Sequence, residues 1–425
     1  MKERVFSKQS KVLILSPKVI DAQTTNDFPS LNIHLRQTYF TECKAFYYYL
    51  PLIAKGIRQV TNEIVESIRS QNIDIVFFEP NGCNYELPIE FFQSLRKTTK
   101  VKLVLWVLDD EMIFDVHTKY YAQEFDAVIT CDYYATYEYR KLGIPALYYF
   151  SSYCKEDLYP LETTRDIDVS FVGDCTKSDR STYLNLLVNH GIKVQAFGKG
   201  TKNGFVSKHE LSRIFSRTKI NLNFTKVNEH SVEAWFIEDN PLVNLVRQNK
   251  GRPMEIAMTR SFCLSEYSSS LSEVFEISRE IDVFHDSVDL LEKVQWYLRE
   301  DEIREEIARR AYLKAVNVYE ASVYMPKLLD ELCAILTHHG SFQRDEVIHK
   351  SSLFKRNHIN HLTFIMWYQT FTGRLVPAWE TFFYLFQYGL TAFLPSFLKG
   401  SRRAFFKFAQ KNMPFQNGRL SNNLI

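Results

Sequence analysis

The chain has 425 residues, 45% hydrophobic and 24% charged, which excludes a disordered or collagen-like polymer and leaves apolar mass for two or three domains. A formal net charge of +2 excludes a protein held to nucleic acid by its overall charge, so any attraction for anions has to be local. The seven cysteines (Cys43, Cys83, Cys131, Cys154, Cys175, Cys263, Cys333) are odd in number and never spaced as C-x-x-C, so reduced thiols are expected rather than a disulfide framework or a zinc site.

The apolar run from Val12 to Leu15 is cut by Pro17 and Lys18, too short for a signal peptide, and reads as a first strand; a cytoplasmic protein is expected. Further strands are predicted at 73–78 (IDIVFF), 101–108 (VKLVLWVL) and 126–130 (DAVIT), nearly continuous hydrophobic runs of the kind covered on both faces. Helices are predicted over 44–70, 86–97, 111–123 and 132–142, the last stopped by Gly143 and Pro145. The stretch 151–166 is polar and reads as a linker. A second alternation follows, with strands at 167–172, 192–197, 219–224, 261–264 and 280–284. Helices are predicted near 179–190, 207–217, 252–258, 287–299, 301–318 and 322–336, with a polar excursion over 226–249. Alternation of this kind implies βαβ units and parallel sheets, hence an α/β fold of two Rossmann-like doubly wound domains facing a cleft. The expected division is 1–155, 166–338 and a helical tail over 341–425.

Ligands of open parallel sheets bind beyond the carboxyl ends of the strands. After the strand at 167–172 comes GDCTKSDR, where Gly173, Lys177 and Arg180 suit a diphosphate held by backbone N–H groups and cations; a solvated loop with two surface cations is the alternative. Gly198 and Gly200 flank Lys199 in FGKG after the next strand, a weaker signal because glycine pairs are common in turns. In KGRPMEIAMTRSFCLSEY, Arg252 and Glu255 lie three apart at a helix start with Pro253 at a favoured first position. Arg252 suits a phosphate clamp and Glu255 the two ribose hydroxyls; a surface Arg–Glu pair is the alternative.

Taken together, DVSFVGDCTKSDRSTYLNLLVNHGIKVQAFGKG, KINLNF, and KGRPMEIAMTRSFCLSEYSSSLSEVFE with the EIDVFHDSVDLLEKVQWYLREDEIREEIARRA after it resemble the C-terminal half of the spore-maturation (CgeB-like) glycosyltransferases. The N-terminal half resembles them more loosely, in WVLDDE at 106–111, FDAVIT at 125–130 and the turn from Leu142 to Pro145. The resemblance implies a GT-B fold, a nucleotide-sugar donor held mainly by the second domain, and no bound metal or other cofactor. By position, Glu255 matches the ribose carboxylate, Lys250 and Arg252 the basic positions before it, and Gly173 the glycine after the first strand of that domain. Many retaining GT-B enzymes carry a second glutamate eight positions earlier; Arg247 stands there.

Asp109 and Asp110 end an apolar strand in the first half, where a general base for the acceptor hydroxyl belongs, or else cap the helix that follows. His117, His209 and His230 are further candidates for that role. Asp166 and Asp168 spell D-x-D but precede a strand instead of following one, so they read as linker chemistry and not as a metal site. In the tail, 378–398 is rich in aromatic residues and leucine, and Lys399, Arg402, Arg403, Lys407 and Lys411 follow. Gly389 and Pro395 interrupt it, so it reads as a peripheral anchor on an anionic membrane surface, or as helices packed back on the first domain. The function expected is transfer of a sugar from a nucleotide-sugar to a glycan, lipid-linked or protein hydroxyl in envelope or surface polysaccharide synthesis. An inert nucleotide-sugar-binding scaffold and a nucleotide-sugar epimerase are the alternatives, and no nucleic acid is expected as a partner.

Overall fold

The computed structural model describes residues 5–17, 36–80, 86–227, 245–338 and 352–412. His230, much of the polar excursion and the start of the tail lie outside them.

The first half builds β1 (Lys11–Ser16), β2 (Glu42–Tyr47), α1 (Tyr49–Lys55), α2 (Ile57–Ser70), β3 (Ile75–Phe78), α3 (Ile89–Thr98) and β4 (Lys102–Val107). After them come α4 (Asp110–Ile113), a π-helical turn (Phe114–Thr118), α5 (Lys119–Ala122), β5 (Ala127–Thr130), α6 (Tyr133–Lys141) and β6 (Ala146–Tyr148). The strands make one parallel sheet in the order β2-β1-β3-β4-β5-β6. The interiors of β3, β4 and β5 are fully buried, as continuous apolar strands between two helix layers must be.

Two expectations change here. The helix predicted from residue 44 begins at Tyr49, because Glu42–Tyr47 pairs with β1 as an edge strand. Its run Phe46, Tyr47 and Tyr48 suits a pleated, half-buried surface better than a helix. The short β6 was not predicted at all.

The second half continues with β7 (Ile167–Val172), α7 (Arg180–Asn189), β8 (Val194–Phe197), α8 (Lys208–Arg217), β9 (Thr218–Asn223), α9 (Arg252–Met258), β10 (Cys263–Glu266) and β11 (Asp282–Phe284). Its parallel sheet runs β11-β10-β9-β7-β8. The chain leaves β7 toward β8 and returns to the other side at β9, so the switch point lies between β7 and β9. In such sheets the crevice at that point is where ligands collect. Helices α10 (Ser287–Tyr297) and α11 (Asp301–Lys314), with a π-turn to Tyr319, complete this half.

The predicted linker does cross between the sheets, and a second crossing runs beside it. Tyr153 bridges Glu320, and the N–H of Ala321 donates to the Tyr153 carbonyl at 3.1 Å. The chain returns to the first sheet through α12 (Ala321–His338). There Tyr324 donates from its hydroxyl to the Tyr148 carbonyl at 3.2 Å, and the Thr337 hydroxyl receives the N–H of Phe6 at 2.9 Å.

The tail folds as α13 (Ser352–Phe371), α14 (Leu375–Phe386) and α15 (Leu390–Asn412) against the first sheet's helices. Phe354, Leu362, Ile365 and Leu385 join the same core as Val60, Ile64 and Phe92. The buried amide of Gln369 donates to the carbonyls of Leu52 and Ile53, each at 3.2 Å, satisfying the end of α1. The tail thus takes the packed-back arrangement. No helix among the described residues is long and apolar enough to cross a membrane.

Candidate active site

The carboxyl ends of β7 and β8 are joined beyond the strands by tight backbone contacts. Gly173 N–H donates to the Phe197 carbonyl and Cys175 N–H to the Lys199 carbonyl, both at 2.9 Å. Gly198 has φ +111°, and a Cβ there would lie 2.2 Å from the Gly173 carbonyl oxygen. Glycine is required at that spot because backbone meets backbone. Gly173 is itself constrained, since a Cβ on it would meet the Phe171 ring at 2.6 Å. The two loops singled out separately in the sequence are one structure. Lys177 is half-buried on it, and Lys199 is exposed, 3.7 Å from Asp174.

Arg180 starts α7 and turns inward. It is buried, donates from Nη1 to the Asp174 carbonyl at 3.1 Å, and lies over the Phe171 ring at 5.8 Å. Its Nε is buried with no hydrogen-bond partner among the described residues. Burial lowers its pKa, and Asp174 and Glu266 are the acids that counter this. The like charge of Arg252 adds a smaller lowering effect.

Glu266 ends β10 and is 3% exposed. Its carboxylate receives the N–H groups of Thr225 and Lys226 at 2.8 Å each, which fixes the loop after β9, and pairs with Arg247 at 3.3 Å. Lys226 in turn pairs with Asp179 at 2.7 Å. Arg247, which replaces the glutamate of many related patterns, therefore sits in the crevice with Glu266 as its counter-ion.

Glu255 is also buried, paired with Arg252 on the first turn of α9. The phenol of Tyr153 packs against the same carboxylate; burial raises its pKa well above the ordinary range and Glu255 adds to this. Gly251 leaves the room for it, since a Cβ there would fall 2.0 Å from the Tyr153 hydroxyl. Arg252 and Glu255 thus form a partly buried pair over the linker rather than a surface pair. Lys250, just before them, is exposed.

Opposite this cluster stands the end of β4. The two aspartates predicted there separate. Asp110 is 1% exposed and points into the first half, where Thr118 donates to it at 2.5 Å and Tyr139 at 3.0 Å. Burial raises its pKa to about 6 against the lowering effect of these bonds. Asp109 stays at the crevice and receives the side-chain amide of Gln248 from the second half. Neither side chain caps the following helix in the usual way.

Glu111, which sequence reasoning passed over, accepts the backbone N–H of Asn249 at 3.1 Å. Its pKa is pushed well above the glutamate range by burial, with Asp132 adding to the effect. His117 is buried against Glu86 at 2.6 Å and stacked on Tyr121, away from the crevice; His209 is exposed on α8. Asp166 pairs with Arg217 and Asp168 with Lys219 at 2.7 Å, so the D-x-D makes ion pairs at the amino edge of β7. Among the described residues no cluster of His, Cys, Asp or Glu could hold a metal. Glu266 closes β10 and Glu111 lies on the short helix four residues past β4; sequence alone did not single them out, because the groups they hold come from other strands and loops.

Residues 159–330 match the family model described as "Glycosyl transferase-like". No curated protein matches the chain in sequence. Among solved structures, the sucrose-phosphate synthase of Thermosynechococcus elongatus is similar with a TM-score of 0.51 at 9% identity, over 77% of this chain and 100% of that one. A glycosyltransferase of Rickettsia africae gives 0.51 at 10%, over 78% and 100%. Anabaena HepE in complex with UDP-glucose gives 0.54 at 9%, over 76% and 99%. Identities this low speak to fold alone, and the fold is that of GT-B glycosyltransferases, with a helical C-terminal region added.

Proposed function

We propose that this protein is a glycosyltransferase that moves a sugar from a nucleotide-sugar to a hydroxyl, in the manner of the CgeB-like enzymes it resembles. The observation carrying this reading is the set of cations at the β7–β9 switch point. Arg180, Arg247, Arg252 and Lys226 surround the buried acids Glu255 and Glu266, opposite an acidic strand end. That polarity suits a nucleoside diphosphate leaving group on one side and a hydroxyl giving up its proton on the other.

In this reading Arg252 swings from Glu255 to the diphosphate, and the freed Glu255 carboxylate accepts hydrogen bonds from the two ribose hydroxyls. Lys177, Lys199 and Lys250 add positive charge at the mouth, and the loops of Gly173 and Gly198 approach the phosphates with their backbones. Asp109 is the strand-end acid retained at the crevice. Transfer needs no metal, because guanidinium groups meet the leaving charge. Residues 1–155 form the acceptor domain and 166–338 the donor domain. The setting is cytoplasmic, in envelope or surface glycan synthesis. Residues 341–425 add a membrane-contacting tail, since Trp379, Phe383, Phe386, Leu394, Leu398 and Phe405 are exposed beside a run without any acidic residue after Glu380.

Arg247 in place of a glutamate favours a second reading, a scaffold that binds the nucleotide-sugar without turning it over. A thermal-shift screen against UDP, GDP, CDP, ADP and their glucose or mannose conjugates, with metal and with chelator, is the first test. One nucleotide should raise the melting temperature equally in both conditions, and Arg247→Ala should weaken its binding roughly 10- to 100-fold, as loss of a charged hydrogen bond implies. No shift with any nucleotide sinks both readings. A shift without transfer to sugars or water favours the scaffold.

A further inference from the structure

Away from the crevice, at the amino ends of β3 and β4, the last turns of α2 and α3 flank a cavity of about 310 Å³. Its floor is apolar: Ile68 and Ile73 are 3% and 6% exposed, and Val101 is half-buried. Its rim is polar, built from Arg69, Asn72, Thr98, Thr99 and Lys100. Helix α2 has 14 residues, so this rim lies roughly 20 Å from the crevice at the other end of the sheet.

The rim has hydrogen-bonding capacity left over. Thr98 and Thr99 donate their hydroxyl protons to the carbonyls of Ser94 and Leu95, at 2.8 and 2.7 Å, so each oxygen keeps lone pairs. Asn72 holds φ +53°, and its side-chain amide has no partner among the described residues. Arg69 and Lys100 are exposed, and neither pairs with an acid among the described residues. Helix ends account for part of this positive charge: Arg69, Arg96 and Lys97 lie in the last turns of α2 and α3, each end worth about half a negative charge. Three side chains exceed that demand, and Lys100 lies beyond both helices. No acid among the described residues lines the cavity. Glu66 lines the adjoining groove along α2, Asp74 receives the Lys11 N–H at 2.7 Å, and Asp126 pairs with Lys102 at 3.3 Å.

We propose that this cavity is a second binding site, for a sugar that carries a carboxylate or a phosphate. Arg69 and Lys100 hold the charged group, the guanidinium through two parallel N–H bonds. Thr98, Thr99 and Asn72 meet the sugar hydroxyls, whose O–H groups find the side-chain lone pairs. The apolar floor lies under the ring. The volume is near the lower limit of small-molecule pockets, about 300 Å³, which suits one saccharide unit and not a whole nucleotide-sugar. A bare inorganic anion leaves the floor and the threonine lone pairs unused. The site involves no transfer chemistry and stands apart from the transferase reading.

The test is saturation-transfer NMR and calorimetry on the full chain with glucuronate, glucose 6-phosphate, glucose and inorganic phosphate. At least one acidic sugar should bind with a Kd on the order of 1 mM, weakened by added salt. Glucuronate as the tighter ligand assigns the charged group to a carboxylate, and glucose 6-phosphate to a phosphate. The double variant Arg69→Gln, Lys100→Gln should lose at least about tenfold in affinity with an unchanged melting temperature, since both side chains are exposed. Asn72→Gly suits the left-handed backbone and removes only the amide, so it should fold as wild type and weaken the acidic sugar severalfold. A double variant that binds within about threefold of wild type would place the anion at the crevice and overturn the proposal. Glucose binding as tightly as the acidic sugars, or inorganic phosphate doing so, overturns it too, as does absence of binding at about 20 mM. None of these outcomes bears on nucleotide binding at the crevice, which Arg69 and Lys100 do not line.

Discussion

The side-chain amide of Gln248 donates to the carboxylate of Asp109, tying the loop before α9 to the turn after β4 across the crevice. Next to it, the Asn249 N–H donates to Glu111 at 3.1 Å. A replacement of nearly the same shape tests this latch. In Gln248→Glu the donated hydrogen bond is lost and a second carboxylate is placed against Asp109, at a cost of about 3–5 kcal/mol if the halves stay closed. The expected result is a lower urea midpoint and a larger radius of gyration by X-ray scattering at pH 8, both relieved at pH 5. An unchanged midpoint would mean that the contact contributes nothing to closure.

Asp110 makes a second prediction, about pH. Its folded pKa of about 6 exceeds the ordinary 3.8, so between these values the folded state binds more protons than the unfolded one. Stability from this group is therefore greatest below about pH 4 and falls as pH rises toward 6, by roughly 3 kcal/mol for a shift of this size. Asp110→Asn keeps an acceptor for Thr118 or Tyr139 and should flatten that part of the stability–pH curve. Urea titrations at pH 4, 5, 6 and 7 check it, and parallel curves for both proteins would show that the carboxyl is not buried as a charge.

Much of this organisation can be read in the residues, and the gaps have physical causes. The buried strands β3, β4, β5, β7 and β9 announce themselves as apolar runs, and α9 begins at Arg252 as Pro253 suggests. Edge elements were harder to read. The aromatic stretch at β2 carries no period that separates strand from helix, and β6 is only three residues long. At the crevice, Arg252, Glu255, Arg180 and the glycine loops were visible as strand-end chemistry. Gln248, Asn249 and Glu266 were not, because their importance lies in partners from other strands and, for Gln248, from the other half of the chain. Asp109 and Asp110 looked equivalent in sequence. Only the turn after β4 sends one inward to Tyr139 and the other to Gln248.

Gly198 offers a test of the loop pair. Its φ of +111° is costly for any residue with a side chain, about 1–3 kcal/mol, and an added Cβ would also collide with the Gly173 carbonyl oxygen. Gly198→Ala should lower the melting temperature by several degrees and weaken nucleotide binding by parting the loops. Gly191→Ala is the control, since its φ is +78° but a Cβ there meets nothing within 4 Å. If both variants lose equal stability and neither loses nucleotide affinity, the close approach of the loops is irrelevant to binding.

The tail makes the last prediction. Trp379, Phe383 and Phe386 lie four and three residues apart on one face of α14 and remain 59%, 65% and 42% exposed. The other face is fully used: Thr381 donates to the Gln369 amide oxygen at 3.0 Å, and Tyr384 donates to Glu90 at 2.9 Å. Packing against the first half therefore accounts for one side of the helix and leaves the aromatic side to water. Lys399 and Arg402 on α15 are exposed as well, and each basic group near an anionic bilayer contributes about 1 kcal/mol. The full chain should co-sediment with vesicles containing phosphatidylglycerol and much less with pure phosphatidylcholine. Replacing Trp379 and Phe383 with serine should cut the bound fraction at least fivefold without changing the melting temperature, because neither side chain belongs to the core. A protein that stays in the supernatant with both vesicle types would leave the aromatic face to another copy of the chain, which sedimentation velocity would reveal as a dimer lost in the same double variant.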